Sequence, residues 1–115
     1  MTRDELIELA CRVEQLTGRD RGVDGEIAAL MTGGVSDKRG KYWTSGGSGA
    51  FISPTYTSSI DAAMTLVPEG ESWSLREYPG DRSMVFIGCL AESACKSPAL
   101  ALTAAALRAL SERAG

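Results

Sequence analysis

Apolar residues recur at helical spacing near both ends of the chain and alternate at strand spacing before the last helical stretch. Leu6, Leu9, Val13 and Leu16 fall three and four positions apart, which predicts one apolar stripe on an N-terminal helix. Thr2 and Glu5 have capping-box spacing, Glu8 and Arg12 form an i,i+4 pair off the stripe, and Gly18 is the small residue a helix end prefers. A weaker second helix is expected after Asp20, its cap, with Val23, Ile27, Leu30 and Met31 on one face and Gly33-Gly34 as terminator. Gly22 and Gly25 lower its intrinsic stability by about 1 kcal/mol each relative to alanine. A third helix is expected from a Thr57 cap through Ile60, Ala63, Met64 and Val67, stopped by Pro68 and Gly70.

Residues 72–78 alternate Trp73 and Leu75 with polar neighbours, Pro79-Gly80-Asp81 makes a turn, and residues 84–90 form the near-continuous apolar run of a central strand. Ser97 and Pro98 open a last helix striped by Leu100, Thr103, Leu107 and Leu110, with alanines that allow close packing and with Arg108 and Arg113 near its negative end. Between the second and third helices, residues 32–54 are rich in glycine and serine. Two short strands around 41–44 and 50–53 joined by a glycine turn fit this stretch, and a mobile loop fits nearly as well. The expected fold is α+β: a single small domain over residues 1–115, about four helices packed on a small antiparallel sheet in the order α-α-(β-β)-α-β-β-α, with no internal repeat.

Composition narrows the function classes. The chain has 115 residues, 43% hydrophobic and 23% charged, as expected of a folded domain rather than a disordered one. Its net charge of −3 argues against general nucleic-acid binding, which needs a cationic excess, and leaves room for a local basic patch. No apolar run reaches the roughly 18 residues of a membrane span. Asp4 and Glu5 stand where a signal peptide carries bases, so the protein is expected in the cytoplasm. There is no histidine, and the three cysteines, Cys11, Cys89 and Cys95, lack metal-site spacing. Cys89 reads as a buried small hydrophobe and Cys95 as exposed, without an activating neighbour. No cofactor, no metal and no enzymatic activity are expected.

The segments Cys11-Arg12-Val13-Glu14, Gly18-Arg19-Asp20-Arg21-Gly22-Val23-Asp24, Pro54-Thr55-Tyr56-Thr57-Ser58-Ser59-Ile60-Asp61-Ala62-Ala63-Met64-Thr65-Leu66-Val67-Pro68-Glu69-Gly70, the Trp73 strand and the closing Ser97-Pro98-Ala99-Leu100-Ala101-Leu102 resemble the phage ABA sandwich domain proteins of bacteriophages and prophages, especially those of alphaproteobacteria. The Tyr-Thr-x-Ser-x-Asp-Ala-Ala segment and the last helix are the most specific parts, and the glycine-rich middle departs most. The resemblance implies a phage-encoded accessory protein made in the bacterial cytoplasm and brings no established activity or catalytic residues. By analogy with small phage accessory proteins, it implies a binder that blocks a host defence component, either a CRISPR-type protein complex or a nucleotide immune signal.

Lys38, Arg39, Lys41, Tyr42 and Trp43 are the first candidate contact residues, because clustered cations beside aromatics suit phosphates or acidic protein surfaces. The same residues also suit a solvated hairpin edge. Tyr56, Thr57, Ser58 and Asp61 lie at an expected helix start, which favours anions, although caps have the same composition. Arg76 and Tyr78 share the outward face of the strand pair. Gly46-Gly47-Ser48-Gly49 matches no phosphate-loop pattern and reads more readily as a turn. Two other functions stay open: an assembly module that oligomerises through the alanine-rich last helix, and a small hydrolase using Asp61, Glu69 and Glu71. A nucleotide target requires a concave site with Arg or Lys, and a protein target an exposed aromatic and charged patch.

Overall fold

The computed structural model describes residues 3–43, 49–79, 82–88 and 91–114. Among these residues, four helices, α1 (Arg3–Glu14), α2 (Arg21–Thr32), α3 (Ile60–Met64) and α4 (Pro98–Ala114), combine with two antiparallel three-stranded sheets. The first sheet is β1 (Val35–Ser36), β2 (Lys41–Trp43) and β3 (Phe51–Ile52), and the second is β4 (Trp73–Tyr78), β5 (Arg82–Ile87) and β6 (Ala91–Cys95), each in sequential order. The fold is α+β, with two small sheets where the sequence pattern indicated one.

α4 is the centre of the core. Every residue from Ala99 to Leu107 is buried, because α1 and α3 pack on it and β5 and β6 lie against it. A helix that is apolar nearly all round belongs in such a position. Its alanine surface is therefore consumed within the fold. Ser97 caps it as expected, its hydroxyl accepting from the Leu100 N–H at 3.2 Å. α1 buries Leu6, Leu9, Ala10 and Val13 against α4. It ends at Glu14, short of the Leu16 and Gly18 end the spacing indicated. The N–H groups of Gln15 and Leu16 bond three residues back, tightening the last turn, and Leu16 still reaches the core. The expected cap Thr2 lies outside the described residues.

α2 begins at the predicted cap: the Asp20 carboxylate accepts from the Val23 N–H at 3.1 Å. It ends in a left-handed Gly33 (φ 75°), and the Gly34 N–H reaches back to the Ala29 carbonyl at 2.8 Å. Gly25 has a role that helix propensity misses. A Cβ there would stand 3.3 Å from both the Gly40 Cα and the Ser36 Cβ, so a bare backbone lets the first sheet settle on the helix.

The second sheet differs from expectation in its strands, β5 running from Arg82 to Ile87 rather than over residues 84–90. β5 stops at Ile87, and Gly88 turns the chain at φ 51°. In β5, Ser83, Val85 and Ile87 are buried while Met84 and Phe86 are half-buried, so this sheet is covered on one face and open on the other. β6 is an additional strand, in which Ser93 and Cys95 point inward. Cys95 is 2% exposed, which corrects the expectation of an accessible thiol: its alternation in a strand places it in the core. Cys89 lies outside the described residues. Among the described residues no helix is long and apolar enough to cross a membrane.

Candidate functional site

The basic segment becomes the rim of an open sheet face. β1 and β2 are joined by a tight turn in which the Asp37 carboxylate accepts from the backbone N–H groups of Arg39 (2.8 Å) and Lys41 (3.0 Å). These bonds, that of Lys41 first, hold the Asp37 carboxyl below its usual range. Gly40 follows at φ 88° with its Cα against α2. The register pairs Val35 with Trp43 and Lys41 with Ile52. Side chains opposite each other, or two apart on a strand, share a face. Val35, Lys41, Trp43 and Ile52 therefore form one surface, and Ser36, Tyr42 and Phe51 form the other.

The Ser36–Tyr42–Phe51 face turns toward the core at Tyr42, while Phe51, on the edge strand, is 49% exposed. Tyr42 packs on the core and stacks on Phe51 with ring centroids 5.5 Å apart. The other face is open: Val35 is 67% and Ile52 78% exposed. Lys38 and Arg39, also exposed, sit on the adjoining turn. Among the described residues, none of Lys38, Arg39 and Lys41 has a side-chain ion-pair partner. The hairpin reading of residues 41–44 and 50–53 is realised in β2 and β3. Thr44 and the glycine run 46–48 lie outside the described residues.

The Tyr56 to Asp61 segment is a structural clasp, and this corrects the reading of an anion-binding helix start. Thr57 is 1% exposed and is not the helix cap. Its hydroxyl accepts from the Asp20 N–H at 2.9 Å, and its N–H donates to the buried Asp24 carboxylate at 2.8 Å. Ser59 caps α3 instead, and this five-residue helix ends at Met64, before Val67. Tyr56 is buried, and burial raises its phenol pKa. Its carbonyl accepts from the Thr103 hydroxyl of α4 at 2.7 Å. Arg21 completes the clasp, donating to Asp24 and to the Ser53 carbonyl, each at 2.8 Å. Ser58 and Asp61 stay on the surface. A ligand reaches neither Tyr56 nor Thr57 without unpacking this junction.

The remaining candidates separate. Arg76 and Tyr78 do share the outward face of β4, with the Arg76 guanidinium 5.9 Å from the Phe86 ring centroid. Arg12 is bound to Glu26 on α2 at 2.6 Å rather than to Glu8, and that bond raises its pKa. Glu71 is held by Arg113 at 3.0 Å, and Arg113 also reaches the Glu69 carbonyl. The Glu71 side chain therefore serves to anchor the end of α4.

A second polar cluster lies between α1 and β6. Glu14 accepts from Arg108 and from the Ser93 hydroxyl. Burial raises the Glu14 carboxyl pKa, and the Arg108 and Ser93 hydrogen bonds outweigh it, so the net shift is downward. Burial pushes the Cys95 thiol up, which leaves little thiolate near neutral pH. Among the described residues no group of three or more carboxylates or thiols is placed to hold a metal ion.

Sequence reasoning did not single out Val35 and Ile52 as contact residues. The turn at residues 37–40 sets Val35 opposite Trp43, whereas Ile52 comes to lie opposite Lys41 through the separate β2–β3 pairing. Comparison with models of known families, with curated proteins and with solved structures finds no match.

Proposed function

We propose that this is a non-enzymatic binding protein that docks a partner protein through the open face of the β1–β2–β3 sheet. The observation that carries this reading is one surface on which Val35 and Ile52, 67% and 78% exposed, flank Trp43 and Lys41. Monomeric proteins seldom leave such side chains grouped in water without a use for them. Trp43 has the chemistry of an interface anchor, and Lys38, Arg39 and Lys41 supply a cationic rim in a chain of net charge −3. The partner surface is therefore an apolar patch bordered by carboxylates. The rim steers encounter, and the apolar centre sets the dissociation rate.

The biological setting rests on the resemblance to phage ABA sandwich proteins: a phage-encoded accessory protein in the host cytoplasm whose partner is a component of host defence. The test is phage growth in defended and undefended hosts, with the chain supplied as wild type, as Ile52→Asp or as Lys38→Glu/Arg39→Glu. The wild type should restore growth only in the defended host, and both variants should fold and fail to do so. Equal growth with and without the wild-type chain across defended hosts would refute the counter-defence role. Full rescue by both variants would move the contact surface elsewhere.

A further inference from the structure

The uncovered face of the β4–β5–β6 sheet ends in a row of three side chains that the proposed docking face does not use. Tyr78 pairs in register with Arg82, and Ser83 pairs with Cys95, so Lys96 follows β6 out beside Arg82. All three are exposed, Tyr78 at 47%. Together with Glu77, Ser83 and Pro98 they line a cavity of about 300 Å³. Arg82 and Lys96 also line a second cavity, of about 470 Å³, whose other walls are Glu14, Gln15, Leu16, Thr17 and Cys95. Two cations thus stand where two concave spaces meet. Among the described residues neither has an ion-pair partner.

We propose that this end of the sheet binds a phosphodiester-linked pair of nucleosides. The phosphodiester lies against Arg82 and Lys96, one base stacks on Tyr78, and the second nucleoside occupies the larger cavity. Arg matches phosphate oxygens with a planar fork, Lys adds a point charge, and an exposed tyrosine ring offers a stacking platform to any base. Glu77 repels a ligand carrying several phosphates and suits a ribose hydroxyl, as carboxylates do in other nucleotide sites. Each cavity is within or near the usual size of small-molecule sites, about 300–1,000 Å³. A dinucleotide uses both, and a mononucleotide leaves one empty. The chemistry is shared by a free dinucleotide and by one step of a single-stranded nucleic acid.

Calorimetric titration of the full chain with the dinucleoside monophosphate ApA, with AMP, with inorganic phosphate and with a ten-residue oligoadenylate tests this. ApA should bind saturably and more tightly than AMP, and phosphate alone should bind weakest. Arg82→Ala and Lys96→Ala should each weaken ApA roughly 10-fold or more, the scale of a lost charge-assisted hydrogen bond. Tyr78→Ala should weaken it while Tyr78→Phe retains it. Oligoadenylate binding at least as tight as ApA assigns the site to nucleic acid, and its failure assigns it to a free dinucleotide. No saturable ApA binding at millimolar concentration would overturn the proposal. So would ApA binding undiminished in the Arg82→Ala/Lys96→Ala variant. The side chains are exposed, so circular dichroism should show all variants folded. The outcome does not depend on the docking face, which shares no residue with this site.

Discussion

Replacing Asp24 with alanine tests the junction that places the β1–β2–β3 sheet on the rest of the fold. The side chain is fully buried and accepts from the Arg21 guanidinium and from the Thr57 N–H, both at 2.8 Å. Its removal orphans a buried backbone donor, which costs about 1–3 kcal/mol. It also strips Arg21 of its carboxylate, and breaking a buried pair costs about 3–5 kcal/mol. Arg21 is 26% exposed and keeps its bond to the Ser53 carbonyl, so the second cost falls well below that range. The net loss should be about 3–4 kcal/mol, a large share of the roughly 5–15 kcal/mol that stabilises a domain. Asp24→Asn retains an acceptor for Thr57 and should lose only about 1–2 kcal/mol. Urea unfolding of the three proteins gives both differences, and the alanine variant should melt roughly 10–15 °C lower. Native-state hydrogen exchange should show the Thr57 amide released ahead of the α4 amides. A loss below about 1 kcal/mol for Asp24→Ala, the ordinary size for a point substitution, would refute the clasp.

Three further changes probe other parts of the account. Glu14→Gln should cost about 1.5–3 kcal/mol at neutral pH, the scale of hydrogen bonds to a charged group. Because the folded-state pKa of Glu14 is lowered, its contribution is fully present above the unfolded value. It disappears as pH falls through the folded one, so the variant's stability should decline less steeply on acidification. Gly40→Ala should destabilise by about 1–3 kcal/mol, because φ is +88° and an added Cβ would stand 3.1 Å from the Arg21 carbonyl oxygen; its urea midpoint reports this. Thr103→Val should cost about 1–2 kcal/mol through the buried Tyr56 carbonyl it leaves unpaired, read from thermal unfolding.

Helices α1, α2 and α4 were legible because their information is local, whereas the cap and end of α3 were not. Asp20, Ser97 and Gly33 act within four residues of themselves, and the leucine stripes of α1 and α4 need only the helical period. β6 was not legible: Glu92, Ser93 and Ala94 carry no strand preference, and the strand exists because β5 offers its free edge. The role of Thr57 is also non-local. Its partners Asp20 and Asp24 are 37 and 33 positions away, and the same residue types are the usual helix caps. The basic segment was visible as composition, and only the hairpin register joined it to Val35 and Ile52. Arg82 and Lys96 escaped notice because the row they form with Tyr78 crosses three strands, one of them unanticipated.

The central claim is that the open face of the first sheet is where a partner sits. Site-specific photocrosslinking in phage-infected host cells tests it most directly, with the crosslinking residue placed at Ile52, at Val35 and, as a control on the far end of α4, at Glu112. The account predicts one discrete protein adduct at Ile52 and Val35, absent at Glu112 and lost when Lys38 and Arg39 are changed to glutamate. Adducts of equal yield at all three positions, or none at the sheet while one forms at Glu112, would contradict it.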